Sequence, residues 1–253
     1  MQLQQSAVKK YAIENNLPVL QPEKLKDPAF LEELQSLKAD LQIVVAFRML
    51  PEVVWNMPAM GSVNLHGSLL PQYRGAAPIN WAVINGEKET GVTTFKLKHE
   101  IDTGDILLQE SFPIGENENA GEVHDIMKEI GAKLLVKTVA GLAAGSLAET
   151  PQSEIKNHRS EIRHAPKIFT ETCQLDFTKN INEVHNLVRG LSPYPAAFTF
   201  LKGKKLKVYK TEKINKVHSI APGEFVTDGK LFLHFACADG FLSIIDLQLE
   251  GKK

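Results

Sequence analysis

The feature that most constrains this chain is a run of five adjacent apolar residues, Ile43-Val44-Val45-Ala46-Phe47. It shows no polar alternation, and its length and β-branched content fit a strand covered on both faces. Such strands belong to sheets with helices on either side. The neighbouring sequence offers those helices. Val8, Tyr11, Ala12 and Ile13 cluster at helical spacing within residues 5–15, and Phe30, Leu31, Leu34 and Leu37 form an apolar stripe within 29–38. Further strands are expected at 62–66, 92–97 and 105–110. Residues 120–144 read as a long helix. Val123, Ile126, Met127, Ile130 and Leu134 share a face, Asn119 and Glu122 have capping-box spacing, and Gly145 stands just past the end. The first 147 residues therefore predict an α/β domain.

Residues 148–166 lose apolar periodicity and read as an extended, solvated linker. From 167 to 253 the pattern changes to one short helix near 181–190 and strands at 196–202, 205–210, 231–236 and 241–248. Lys202-Gly203, Asp228-Gly229 and Asp239-Gly240 are hairpin-turn pairs between strands. This predicts a small antiparallel, OB-like β-barrel. The chain opens on a helix where a doubly wound sheet would open on a central strand, and it stops directly after a strand. The expectation is a protein truncated at both ends.

Composition narrows the class. No run of about eighteen apolar residues is present to span a membrane, and the first residues lack the apolar core of a secretory signal. Two cysteines cannot make a disulfide framework and have no metal-ligand spacing, so a cytoplasmic location is the default. The net charge of -1 conceals an imbalance, with residues 167–253 basic and the remainder acidic. That asymmetry hints that the C-terminal part meets a polyanion, although unevenly placed solvated lysines would look the same.

Chemistry concentrates in two places. On a strand, Asn64 and His66 project to one face, at the carboxyl end where open α/β sheets bind ligands. A neighbouring amide and imidazole suit a developing oxyanion. The segment Arg74-Gly75-Ala76-Ala77-Pro78 follows as a small-residue loop with one cation. Further on, Ile101-Asp102-Thr103-Gly104-Asp105 places an acid between two strands, where it could orient and charge-compensate His66. Each feature also has a plain reading, as a turn or a structural histidine, and spacing alone does not bring Asp102 to His66.

The segment NLHGSLLPQYRGAAPINWAVINGEKETGVTTF, followed by IDTGDILLQE, resembles the formyltransferases that use 10-formyltetrahydrofolate, and among them the branch acting on methionyl-tRNA. The likeness runs from about Ala7 to Gly251 and includes VLQPEKL and RGLSPYPAAF. It implies a Rossmann-like formyltransferase domain, incomplete at its N-terminus, then the linker and a tRNA-contacting barrel. It also implies transfer of a formyl group from 10-formyltetrahydrofolate, a co-substrate, to the α-amine of methionyl initiator tRNA, without a metal. By this resemblance Asn64 and His66 stabilise the oxyanion and Asp102 holds His66. Phe47, Ser68, Leu69, Leu70 and Pro71 line the folate pocket. Lys202, Lys204, Lys205, Lys207 and Lys210 contact tRNA phosphates, although lysines also guard edge strands against pairing. Formyl transfer to an amino-sugar nucleotide on the same core is the alternative, followed by a non-catalytic RNA-binding relative.

Overall fold

The computed structural model describes residues 5–46, 48–155 and 161–251. The chain divides into two compact units, Met1–Val63 and Asn64–Lys253.

In the first unit, helix α1 (Ala7–Glu14) starts at Ser6, whose hydroxyl accepts the Lys9 amide. Helix α2 (Pro28–Ser36) starts at Asp27, whose carboxylate accepts two amides, with Pro28 in the first turn where no amide is needed. Strand β1 (Gln42–Val44) and a single turn of helix, α3 (Glu52–Trp55), follow. The Gln42 amide bonds the Gly61 carbonyl just ahead of strand β2 (Ser62–His66). Two expectations are corrected. Of the described residues of the apolar run only Ile43 and Val44 are strand, because Ala46 takes φ +47° and turns the chain away. Neither α1 nor α2 buries a residue, and Val8, Tyr11, Ile13 and Leu37 are exposed. Helical spacing identified the face that could be covered, not a face that is.

The second unit continues with β3 (Arg74–Gly75), α4 (Pro78–Ile84), β4 (Glu89–Lys96) and β5 (Ile106–Pro113). The end of β2 lies beside β4, and β4 pairs antiparallel with β5, Val92 opposite Glu110. Helix α5 (Ala120–Ala143) covers this sheet. Its capping box is formed reciprocally by Asn119 and Glu122, and Gly145 leaves the helix at φ +63°. Val123, Met127 and Leu134 of α5 pack with Val92 and Phe112. Leu70, Phe95 and Ile106 make a smaller cluster nearby.

The segment expected to be a solvated linker is partly built into the fold. Thr150 exchanges two backbone hydrogen bonds with Ile106, Gln152 is buried in a single 3-10 turn, and β6 (His164–Ala165) pairs parallel with β3. Gly75 is required there. It has φ +124°, and a Cβ would stand 2.5 Å from the Ala165 carbonyl oxygen.

Helix α6 (Ile181–Leu191), capped by a second reciprocal box at Asn180 and Glu183, leads to β7 (Ala197–Leu201), β8 (Lys204–Ile214), β9 (Phe225–Thr227), β10 (Leu233–Ala236) and β11 (Phe241–Leu249). They form a five-stranded antiparallel half-barrel in the order β7-β8-β11-β10-β9. Val184, Val188 and Leu191 of α6 share one buried cluster with Phe198, Leu206, Val208, Phe235 and Leu242. Strand β9 was not expected, since three exposed residues carry no usable pattern.

Candidate active site

Strand β2 ends on His66, with Asn64 two residues earlier on the same face, and both are buried. The ring of His66 meets Phe95 edge-on at 6.4 Å. Its Nε2 lies 2.9 Å from the Tyr73 carbonyl oxygen. A carbonyl can only accept, so Nε2 carries the proton and a neutral ring leaves Nδ1 as its basic atom. Nδ1 faces Asp102 Oδ2 at 3.8 Å, with both side chains buried. The fold thus brings together the three residues expected to be catalytic, although Asp102 lies 36 positions beyond His66 in the sequence.

Asp102 sits between β4 and β5 at φ +55°. For a residue with a side chain this conformation costs about 1 kcal/mol or more, so the surroundings must hold it. The Gly75 amide donates to Asp102 Oδ2 at 2.9 Å. Gln152 Nε2 donates to the carbonyls of Asp102 at 2.8 Å and Gly104 at 2.9 Å. Gly104 has no alternative, because a Cβ would lie 1.6 Å from the Lys96 carbonyl oxygen. Arg74, the one cation of the small-residue loop, donates through Nε at 3.1 Å and Nη2 at 2.5 Å to Gln152 Oε1.

The expected folate residues separate. Phe47 lies outside the described residues. Ser68 is buried and donates to the Gln72 carbonyl at 2.6 Å, while its own carbonyl accepts from Thr93 Oγ1 at 2.6 Å. Its hydroxyl is committed to the backbone turn. Leu70 belongs to the cluster with Phe95 and Ile106. Leu69, Leu70 and Pro71 also line a cavity of about 610 Å³ with Gln72, Tyr73, Glu87 and Arg163, whose lining does not include Asn64, His66 or Asp102. At its wall the Tyr73 hydroxyl donates to the Glu87 carboxylate, which also accepts Arg163 Nη1 at 2.9 Å. Burial, reinforced by that carboxylate, raises the Tyr73 pKa above the ordinary phenol value. Within the first unit, Arg48 and Met49 line a separate apolar cavity of about 890 Å³ with Leu25 and Val53.

The five expected tRNA lysines surround the β7–β8 hairpin but do not share one face. Leu206 and Val208 point into the core, so Lys205 and Lys207 take the outer face with Tyr209, while Lys204 has the parity of the core pair. A register shift between Val208 and Thr211 then interrupts the alternation, so that Thr211 is buried and Lys210 exposed. Lys202 occupies the turn at φ +48°. Lys205 Nζ lies 3.7 Å from the centroid of the Phe198 ring, within cation–π range.

Sequence reasoning missed Gln152, Glu87 and Arg163. Each is a single polar residue whose partner lies in a remote segment, so no periodicity or spacing marks it. Among the described residues there is no group of three or more His, Cys, Asp or Glu arranged to hold a metal, and no helix is long and apolar enough to cross a membrane.

The sequence profile of the formyl transferase family matches residues 1–139, and that of the formyl transferase C-terminal domain matches 167–253. Curated relatives align along nearly the whole chain. A methionyl-tRNA formyltransferase of Bacteroides fragilis is 54% identical over 99% of this chain and 79% of its own length. The Parabacteroides distasonis protein of the same name is 57% identical with the same coverage. Among solved structures, the sugar 3N-formyl transferase WlaRD, crystallised with dTDP and 5-N-formyl-THF, superposes with TM-score 0.69 at 22% identity, covering 97% of this chain and 82% of that one. HypX from Aquifex aeolicus, in complex with tetrahydrofolic acid, gives TM-score 0.66 at 22% identity, covering 88% of this chain and 38% of that one. At such identities the structures speak for the fold; the profiles and the curated relatives place this chain in the formyl transferase family.

Proposed function

We propose that this protein transfers the formyl group of 10-formyltetrahydrofolate to the α-amine of methionyl initiator tRNA, supporting translation initiation in the cytoplasm. The observation that carries the reading is the buried Asn64–His66–Asp102 group, set in a chain whose whole length aligns with relatives named for that activity. In this reading residues 1–147 form the formyl-transfer domain, 148–166 the connection and 167–253 the tRNA-contacting domain; the family profiles matching 1–139 and 167–253 support a division of this kind.

In this reading the free amine attacks the formyl carbon, and the carbonyl π pair moves onto oxygen. The Asn64 carboxamide and the Nδ1–H of protonated His66 stabilise that oxyanion, and the low-dielectric surroundings strengthen both interactions. Asp102 balances the imidazolium charge and relays the proton released by the amine. As the oxyanion collapses, the bond from carbon to folate N10 breaks and N10 takes up a proton, leaving tetrahydrofolate and formylmethionyl-tRNA. No formyl-enzyme bond forms, so no nucleophilic side chain is needed. On the barrel, Lys202, Lys204, Lys205, Lys207 and Lys210 supply sequence-independent phosphate contacts. Leu69, Leu70 and Pro71, with Phe47 and Ser68, remain the proposed folate contacts.

The test offers 10-formyltetrahydrofolate with charged initiator Met-tRNA, with a dTDP-amino sugar, or with no acceptor. The reading expects formylation of Met-tRNA alone. Transfer to the sugar nucleotide, or release of formate without an acceptor, would replace it.

A further inference from the structure

We propose that Gln152 is a positioning residue for formyl transfer, its carboxamide locking the Asp102 loop to Arg74 and so setting the distance from Asp102 to His66. The inference rests on the reading of His66 and Asp102 as the proton-handling pair.

Three observations carry it. Gln152 is only 7% exposed, in a stretch otherwise rich in polar, solvated residues. Both ends of its carboxamide are used. Nε2 donates to the carbonyls of Asp102 and Gly104, and Oε1 accepts two bonds from Arg74. Finally, these bonds close a ring: Arg74 is followed by Gly75, whose amide holds the Asp102 carboxylate oxygen that faces His66 Nδ1. The left-handed turn at Asp102 and the tight approach at Gly104 leave two carbonyls pointing inward, and Gln152 is the donor to both. Thr150 anchors the segment just before it, through two backbone bonds to Ile106 at 2.8 and 2.9 Å.

The side-chain chemistry is specific. Glutamate would keep the acceptor for Arg74 but present no donor to the two carbonyls. Asparagine is one methylene shorter. Alanine removes both connections. A carboxamide of this length can serve a guanidinium and two carbonyls at once.

The test compares Gln152→Glu and Gln152→Ala with the unmodified chain by single-turnover formyl transfer, by KM for Met-tRNA, by melting, and by hydrogen exchange of the 100–106 loop and the Gly75 amide. Both variants should lower the transfer rate by roughly ten- to a hundredfold, the scale of a displaced catalytic group, with KM within about twofold. Exchange of the loop and of Gly75 should quicken by about tenfold in both, while Gln152→Glu still melts as a folded protein. In an Asp102→Asn background, Gln152→Ala should cost less than about twofold more, since it acts through Asp102. Unchanged rates in Gln152→Glu, or losses that multiply in the double variant, would overturn the proposal. If the unmodified chain fails to transfer formyl groups, the functional reading fails instead. Exchange then decides the positioning alone, and an unchanged loop overturns it.

Discussion

Two histidines are buried to a similar degree in two regions of this chain, and their neighbours make them opposites. His66, at the end of the α/β sheet, sets one nitrogen on a carbonyl and turns the other toward the Asp102 carboxylate. His185, on α6 beneath the half-barrel, bonds Thr211 Oγ1 through Nδ1 at 2.8 Å, and its Nε2 has no hydrogen-bond partner among the described residues. Burial, with the Arg189 guanidinium and the Lys213 ammonium nearby, pushes the His185 pKa down to about 4. Depth alone therefore does not make a buried imidazole a proton carrier. At His185 burial and the nearby cations both oppose protonation, whereas the charged group facing His66 is a carboxylate. The proposed chemistry belongs to the sheet end, while the half-barrel holds its histidine among packed side chains.

The largest way to break this contrast is His66→Ala. Losing an oxyanion donor and a proton carrier together should reduce formyl transfer by about 10³-fold or more, with folate binding, followed by fluorescence titration, nearly intact. Near-normal turnover would return His66 to the structural class that His185 occupies. Next is Asp102→Asn, which keeps an acceptor for the Gly75 amide but removes the counter-charge. A loss of about 10²-fold or more in kcat, with Tm nearly constant, is expected.

His185 sharpens the other side. Its folded pKa of about 4 lies below its unfolded value, so the unfolded chain binds the extra proton in between. Its stabilising effect is full above about pH 6.5 and declines as pH falls toward about 4, by roughly 3 kcal/mol in all. His185→Gln should flatten the acid side of the melting profile over that window and leave transfer at neutral pH within about twofold. An unchanged acid slope would show that His185 accepts a proton without penalty.

The smallest expected effect belongs to the outer face of β8. Replacing Lys205 and Lys207 by Gln should weaken tRNA binding several-fold and lower the slope of log K against log salt by about 0.7–0.9 per lost phosphate contact. A slope that does not move would remove this face from the interface. Lys202, Lys204 and Lys210 then become the residues to test.

What could be read in advance divides along the same physical line. Helices α5 and α6, strand β2 and the β7–β8 hairpin announced themselves because periodicity, caps and turn residues are local properties. Asn64 and His66 were legible as a pair because strand alternation fixes their common face. The approach of Asp102 to His66 came only by resemblance, since nothing local links residues so far apart. Gln152 was invisible for the same reason: a buried polar residue is explained by its partners, and here these are Arg74, Asp102 and Gly104. The bond from the Ser68 hydroxyl to the Gln72 carbonyl was equally unreadable, because it depends on the turn the segment makes.

The claim beneath all of this is that His66 and Asp102 act as one unit. A double-mutant cycle in single-turnover formyl transfer tests it directly, with His66→Ala and Asp102→Asn alone and combined. The geometry predicts that Asp102→Asn costs little further once His66 is gone. Losses that multiply would mean the two residues work separately, and the 3.8 Å approach between them would then carry no mechanistic weight.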